Sequence, residues 1–222
     1  MDISVTRVRE KYWDNIDAVI ALEGKRALEV GCGNGDRSIE IARRCRLLYG
    51  IDPNDKAIRA ANRRNITNAT FDVGSIESAR LRERWFDVVF FTMSFHHVAP
   101  SRMAKAIDVA INTCKTDGHI VFVEPNLDGS LYDAEALFNA CDGDEREAKK
   151  TAQDVIDTHP HLRCINCFED ESIFRFRSFQ SFIAMTGANR NLAHLTTFLK
   201  EHQEGEWYVL RAPRKIWVCS PA

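Results

Sequence analysis

Three glycines alternate in residues 31–35 (GCGNG), directly after an apolar run. A loop of this kind between a strand and a helix lets the backbone approach a ligand closely, so it is typical of nucleotide and cofactor sites. The dinucleotide fingerprint has its third glycine at the sixth position, where this chain carries Asp36, and a carboxylate there would repel a pyrophosphate. The loop therefore favours a ligand that has a ribose and a zwitterionic tail but no phosphate.

The carboxylate of Asp52 could bind that ribose. Asp52 ends a second apolar run, about twenty residues beyond the glycine-rich loop. In nucleotide-binding folds an acidic side chain at this spacing accepts hydrogen bonds from ribose hydroxyls. The alternative is an ordinary aspartate at the start of the helix predicted over residues 55–61.

Two adjacent histidines, His96 and His97, follow a fourth apolar run. Histidine changes its charge near neutral pH, so either side chain could remove a proton from a substrate or orient it. The alternative is a structural histidine that holds its own loop. The sequence leaves both interpretations open.

Short apolar runs alternate along the chain with helix-length segments. The predicted strands are residues 27–30, 47–52, 69–73, 86–92 and 119–125. Their regular succession predicts a doubly wound α/β domain, in which helices cover both faces of a mostly parallel sheet. Loops that follow parallel strands meet at one edge of the sheet, so the glycine-rich loop, Asp52 and the two histidines are expected in one site.

The motifs ALEVGCGNG, YGIDPN, FDVGSIE, FDVVFFTMSFHHV and DGHIVFVEPN resemble, in order and spacing, those of the class I S-adenosylmethionine-dependent methyltransferases, especially the group acting on small molecules. The resemblance covers about residues 25–126. It implies S-adenosyl-L-methionine as cofactor, S-adenosyl-L-homocysteine as product and a small-molecule acceptor. It also implies a seven-stranded sheet of order 3-2-1-4-5-7-6, with the last strand antiparallel.

The resemblance also assigns residues to the cofactor. Asp52 would bind the ribose, with Pro53 near the adenine ring, and Thr92 would contact the cofactor at the end of the fourth strand. The residues expected beside the methionine part are Glu29, Gly31, Cys32 and Gly33.

The third strand departs from the family pattern. Related chains often carry Gly-Asp there, with the aspartate accepting a hydrogen bond from the adenine amino group. This chain has Gly74-Ser75-Ile76, so the Ser75 hydroxyl would accept that bond more weakly and Ile76 would cover the ring. Asp72 lies two residues too early and is expected to face solvent from an edge strand.

Segments on both sides of the region that carries the motifs are expected to contact or cover the substrate. We predict one methyltransferase domain over residues 1–222, with an N-terminal helical lid at 1–24 and a helical insertion at 127–176 covering the substrate. Tyr12 and Trp13 would contact the substrate from the lid, or form the apolar face of a covering helix. Asn126 would contact the substrate at the start of the insertion. The run EWYVLRAPRKIWVCSPA predicts a hairpin that turns at residues 212–214.

Two further patterns have a structural alternative. His159, His161, Cys164 and Cys167 are possible zinc ligands, but they lack the second ligand pair that a zinc site requires, so no metal is expected. The run FRFR at residues 174–177 would place two arginines on one face of a strand, where they could bind an anionic substrate or only contact solvent.

Composition narrows the choice of function. The net charge of −2 gives no broad attraction to nucleic acid, and neither a signal peptide nor a membrane span is evident, so a cytoplasmic protein is expected. Seven cysteines, an odd number, indicate free thiols, and four are expected in the core: Cys32, Cys45, Cys114 and Cys219. An RNA or protein methyltransferase and a non-catalytic cofactor-binding domain remain as alternatives, and the acceptor atom is open.

Overall fold

The computed structural model describes residues 6–7 and 12–222. The strands in this part of the chain are β1 (Thr6–Arg7), β2 (Arg26–Val30), β3 (Leu47–Asp52), β4 (Ala69–Val73), β5 (Phe86–Thr92), β6 (Cys114–Pro125), β7 (Leu162–Phe176), β8 (Gln203–Glu204) and β9 (Trp207–Pro221). The helices are α1 (Tyr12–Val19), α2 (Ser38–Arg44), α3 (Asp55–Arg63), α4 (Pro100–Thr113), α5 (Ser130–Phe138), α6 (Arg146–Thr158), α7 (Phe179–Thr186) and α8 (Leu192–Glu201). A short 3-10 helix covers Phe95–His97.

The strands form one mixed sheet in the order β4-β3-β2-β5-β6-β9-β7-β1, and β8 pairs with β9. Parallel pairing joins β4, β3, β2, β5 and β6 in succession. When only the seven longer strands are counted along the chain, this order is 3-2-1-4-5-7-6. The predicted order is therefore confirmed, and the two-residue strands β1 and β8 are additions to it.

Helices cover both faces of the parallel strands, as a doubly wound fold requires. On one face α4 and α6 contribute Met103, Ile107 and Ile156 to a core with Trp217 of β9. On the other face α1 and α2 pack against β5 and β6 in a second core. Because β2 and β5 are buried on both sides, their sequences are almost continuously apolar and do not alternate.

The chain divides into two compact units. The first comprises residues 12–124, 151–168 and 215–222 and contains the parallel strands with the loops that follow them. The second comprises the described residues 6–7, 125–150 and 169–214. It has a core of its own, built largely from α5, α7, α8 and the adjoining parts of β7 and β9. The single domain over 1–222, the lid at 1–24 and the substrate cover at 127–176 stay predictions.

Two local predictions need correction. The segment 127–176 contains α5 and α6, but its last fifteen residues form the strand β7. The hairpin at 212–214 is wrong, because β9 runs through these residues without a turn. Proline lacks an N–H to donate, but the carbonyl of Pro213 accepts hydrogen bonds from the Asn126 N–H at 2.9 Å and the Tyr132 hydroxyl at 2.7 Å.

Candidate active site

The glycine-rich loop is tied to the strand that follows it. The N–H groups of Gly31 and Cys32 both donate to the carbonyl of Ile51, at 2.8 and 3.1 Å. Gly31 has a φ of +74°, and a Cβ there would lie 2.4 Å from the Cβ of Ser94. Ser94 itself donates to the Val30 carbonyl at 2.6 Å. Gly31 is thus required by packing within the protein, and this packing joins the first loop to the loop after β5.

Gly33 differs from Gly31 in what surrounds it. Its φ is +54°, and in the described part of the chain a Cβ at Gly33 would meet no atom within 4 Å. Its N–H donates to Oδ2 of Asp52 at 2.9 Å, while Oδ1 of Asp52 accepts from the Asn54 N–H at 2.8 Å. Gly33 and Asp52, both predicted from the sequence, therefore lie together, with open space beside the glycine.

The carboxylate of Asp36 has a partner that the sequence does not reveal. Asp36 forms an ion pair with Arg64, and Nε of Arg64 also donates to the carbonyl of Asn34 at 2.5 Å. Because this guanidinium offsets the negative charge, Asp36 would repel a pyrophosphate less than its carboxylate alone would. The missing third glycine is then the feature that disfavours a dinucleotide.

A buried carboxylate lies just before the loop. Glu29 is 1% exposed and accepts a hydrogen bond from the hydroxyl of Ser38. The pKa of Glu29 is raised to about 7, chiefly by burial; Ser38 and Arg37 lower it, and nearby Asp52 also raises it. A cation beside this group would favour its ionised form.

The remaining residues assigned to the cofactor occupy different environments. Thr92 is buried, and among the described residues its hydroxyl oxygen has no hydrogen-bond partner. Cys32 is also buried, and this burial raises the pKa of its thiol. Pro53 is exposed.

Ser75 and Ile76 in the loop after β4 lie in different surroundings. Ile76 is buried, whereas the Ser75 hydroxyl lies 3.1 Å from that of Ser78, which also accepts from the Ser75 N–H at 3.0 Å. Asp72 is exposed on the edge strand β4, and its carboxylate accepts a hydrogen bond from the Tyr49 hydroxyl at 2.7 Å. The expectation that Asp72 lies at the protein surface is confirmed.

The two histidines differ in environment. His96 is buried, and its Nδ1 is hydrogen-bonded to Oε2 of Glu124, a fully buried carboxylate at the end of β6. Glu124 also accepts from the backbone N–H groups of Ser94, Phe95 and His96, at 3.2, 2.9 and 3.2 Å. His97 is exposed, with its ring centroid 4.1 Å from that of His96.

Sequence reasoning did not identify Glu124. The signal that could have found it is the acidic residue at the end of the buried run VFVEP, because a carboxylate there needs donors from a neighbouring loop. Because Nδ1 of His96 is held by this carboxylate, the orientation of the imidazole ring is fixed.

The residues assigned to the substrate are buried or half-buried within the fold. Tyr12 and Trp13 are buried in the core beneath α1, with the Trp13 ring 5.9 Å from that of Phe90. This placement corresponds to the covering-helix alternative. Asn126 is half-buried, and its side-chain oxygen accepts from the Leu127 N–H at 3.0 Å.

The other candidate ligands are not gathered into a metal site. The ligand atoms of His159, His161, Cys164 and Cys167 do not form a group of three within 4.8 Å of one another in the part of the chain that the structure describes. Arg175 and Arg177 of the FRFR run are exposed, and Arg177 pairs with Glu206 at 3.4 Å.

Comparisons with known proteins agree with this arrangement. Residues 27–118 match the family described as "Methyltransferase domain". The chain is 32% identical over 111 residues to a ubiquinone biosynthesis O-methyltransferase of Agrobacterium fabrum, an alignment covering 49% of this chain and 42% of that protein. It thus spans about half the length of the curated relatives that it matches.

Solved structures show the same fold. A putative methyltransferase from Bacillus halodurans aligns with a TM-score of 0.63 at 13% identity, covering 94% of this chain and 98% of that one. A SAM-dependent methyltransferase from Aquifex aeolicus aligns with a TM-score of 0.57 at 11% identity, covering 95% and 90%. At these identities the likeness concerns the fold.

Residues 27–118 thus match a methyltransferase domain, and the chain shares the fold of the solved structures above. Among the described residues, no helix combines the length and apolar character needed to cross a bilayer.

Proposed function

We propose that this protein transfers the methyl group of S-adenosyl-L-methionine to a small-molecule acceptor. The observation that carries the proposal is the hydrogen bond from the Gly33 N–H to Asp52, beside space that no described residue fills. This arrangement holds a carboxylate next to bare backbone at the edge of the sheet where a nucleoside would bind.

The residues present fit this cofactor. S-adenosylmethionine carries a sulfonium and an ammonium, and the buried carboxylate of Glu29 favours a cation nearby. The hydroxyl of Thr92, which has no hydrogen-bond partner among the described residues, can donate to or accept from a ligand. Asp52 would accept from the ribose hydroxyls, Ser75 from the adenine amino group, and Ile76 and Pro53 would lie against the ring. When bound, the cofactor supplies an electrophilic methyl group.

The chain itself must then position the acceptor and take up its proton where the acceptor has one to lose. We assign the His96 hydrogen to Nδ1, because Glu124 already accepts three backbone N–H bonds and serves as an acceptor here too. In this tautomer the lone pair of the ring lies on Nε2. His97 is the second candidate, since it is exposed in the same short helix.

Two observations support a small acceptor. The relatives include proteins named ubiquinone biosynthesis O-methyltransferase, which favours an oxygen acceptor on a small molecule. The net charge of −2 gives no general attraction to RNA. Contacts from Tyr12, Trp13 and Asn126, and selection of the acceptor by residues 127–176, belong to this proposal. So does a cytoplasmic location, with which seven free cysteines are consistent.

The test has two stages. Titration calorimetry with S-adenosylmethionine should show binding, and a nicotinamide dinucleotide should show none. Cofactor labelled in the methyl group is then incubated with metabolite, RNA and protein pools, and we expect label in the small-molecule fraction. Label in RNA or protein would replace the proposed acceptor, whereas binding without any transfer would indicate a non-catalytic domain.

A further inference from the structure

The start of β7 and the end of β9 run antiparallel to each other. The Ala222 N–H donates to the carbonyl of His161 at 3.0 Å, and Nε of Arg163 donates to the hydroxyl of Ser220 at 3.3 Å. One residue number rises as the other falls, as in an antiparallel pair. Continuing this register by one residue places Cys164 directly opposite Cys219.

The two cysteines have different surroundings. Cys164 contributes to the raised pKa of the Cys219 thiol, and the thiol of Cys164 donates to the carbonyl of Asn166 at 3.2 Å. Cys219 is fully buried, whereas Cys164 is exposed. In the described part of the chain, β1 pairs with β7 only at residues 174 and 175, so that no described strand covers the outer edge of β7 at Cys164.

We propose that Cys164 and Cys219 form a cross-strand disulfide when the protein meets a two-electron oxidant such as hydrogen peroxide. Directly opposed residues of an antiparallel pair have Cα atoms about 4.5–5.5 Å apart. A disulfide requires about 4.4–6.8 Å, so the bond can form without a large backbone movement. This inference concerns the region around β7 and β9 and does not depend on the proposed methyl transfer.

The reaction begins at the exposed sulfur. The thiolate of Cys164 attacks one peroxide oxygen, the O–O bond breaks and the leaving hydroxide takes up a proton, so that a sulfenic acid and water result. The sulfur of Cys219 then attacks the Cys164 sulfur, the S–O bond breaks and the departing hydroxide leaves as water with the Cys219 proton. Two thiols and one peroxide thus give one disulfide and two waters.

The surroundings of Cys219 favour this order of events. Burial raises the pKa of the Cys219 thiol, and Cys164, Cys167 and Asp157 raise it further. A buried thiol that holds its proton reacts slowly with a dissolved oxidant. Cys219 therefore reacts only after its exposed partner has been oxidised.

The neighbouring Cys167 is a poor alternative partner for Cys164. Both residues lie in the same strand, three positions apart. Three residues of extended chain span about 10 Å, which is beyond the reach of a disulfide. The C-x-x-C spacing seen in the sequence consequently does not select the disulfide pair.

The test maps disulfides in the folded protein. The reduced protein is treated with hydrogen peroxide under native conditions, free thiols are alkylated, and the chain is digested without reduction for mass spectrometry. We expect a peptide pair that joins Cys164 to Cys219, lighter by about 2 Da than the two reduced peptides and separated by dithiothreitol. The Cys167→Ser variant should keep this link, and Cys164→Ser should lose it.

Other outcomes would overturn the inference. A link between Cys164 and Cys167 would contradict the strand geometry. Oxidation of Cys164 to sulfinic or sulfonic acid, with Cys219 still alkylated after denaturation, would show that the buried thiol does not react with its partner. Because these results are read in the wild-type protein, they hold even if the Cys164→Ser variant fails to fold.

Discussion

The carboxylate of Glu124 and the imidazole of His96 form a buried pair at the end of β6. The same carboxylate caps the backbone N–H groups of residues 94–96, so it fixes both the ring and the loop that carries it. A base must be held in one orientation to accept a proton efficiently. We infer that Glu124 is a positioning residue for His96.

Replacing Glu124 by Gln should lower kcat about 10-fold to 100-fold, because an amide holds the imidazole and its imidazolium less strongly than a carboxylate does. Affinity for S-adenosylmethionine should stay within about threefold, a change below 1 kcal/mol. An unchanged kcat would show that Glu124 only caps the loop.

The exposed neighbour, His97, has its own test. If His97 takes the acceptor proton, His97→Ala should lower turnover about 10²-fold or more, with cofactor affinity nearly unchanged. The side chain is exposed, so its loss should leave no cavity in the core. His96→Gln, measured in parallel, shows which of the two rings acts. Full turnover in both variants would return both histidines to a structural role.

Asp52 is expected to supply much of the binding energy for the ribose. Asp52→Ala should weaken binding of S-adenosylmethionine by about 1.5–3 kcal/mol, the range for a hydrogen bond to a charged group. Asp72→Ala is the matched control, since Asp72 is exposed on the neighbouring strand β4 and bonds to Tyr49. Calorimetry should show the loss for Asp52 alone, and equal losses in both variants would refute a ribose contact.

Open space at Gly33 gives a steric test. Gly33→Val should abolish cofactor binding while the fold survives, because the branched side chain would occupy the space beside the loop. Valine at positive φ is strained as well, so Gly24→Val is the control: Gly24 has a φ of +74° and equally open surroundings in the described chain. Both variants should lose stability, but only Gly33→Val should fail to bind in calorimetry.

The parallel strands can be predicted from the sequence because each is a buried apolar run that a motif follows, whereas their order is implied by the resemblance to the class I methyltransferases. β7 is harder to predict, since FEDES places charged residues in its middle. An edge strand with exposed positions can carry such residues, and their polarity resembles that of a loop. The sequence also predicts a turn at Pro213, because proline has no N–H to donate within a strand. The partners of its carbonyl, Asn126 and Tyr132, are distant in the chain, so the pattern around Pro213 does not reveal them.

The residue pairs of the candidate site also differ in whether the sequence can predict them. Gly33 and Asp52 can be paired from their spacing, because a parallel sheet brings consecutive strand ends together. The Glu124–His96 pair requires the exact path of the loop after β5, and spacing does not determine this path. The ion pair of Asp36 with Arg64 joins a loop to the end of a helix, which is equally invisible in the pattern.

The departure at Ser75 can be tested with two substitutions. If its hydroxyl accepts from adenine, Ser75→Ala should weaken cofactor binding by about 0.5–1.5 kcal/mol, and Ser75→Asp should keep or strengthen it. Ser78→Ala is the control, because it removes the hydrogen-bond partner of Ser75 and leaves the adenine acceptor in place. No change in affinity for either Ser75 variant would assign the adenine to Ile76 and the backbone.

The pKa of Glu29 predicts how the stability of the ligand-free protein depends on pH. Burial raises this pKa from 4.5 to about 7, so the folded state binds the proton more tightly than the unfolded state does. The contribution of Glu29 to the free energy of unfolding is therefore fully present below pH 4.5 and is lost as the pH rises through about 7. A shift of this size corresponds to about 3 kcal/mol, as an order of magnitude.

Glu29→Gln should remove this loss, because a neutral amide of similar size does not ionise in the core. Urea unfolding at a series of pH values from 5 to 8 should therefore show a decline in the free energy of unfolding that is smaller in Glu29→Gln than in the wild type. Glu83→Gln, a substitution at an exposed position, is the control and should follow the wild type. Parallel curves for all three proteins would mean that Glu29 remains ionised in the fold, stabilised by Ser38 and Arg37 despite its burial.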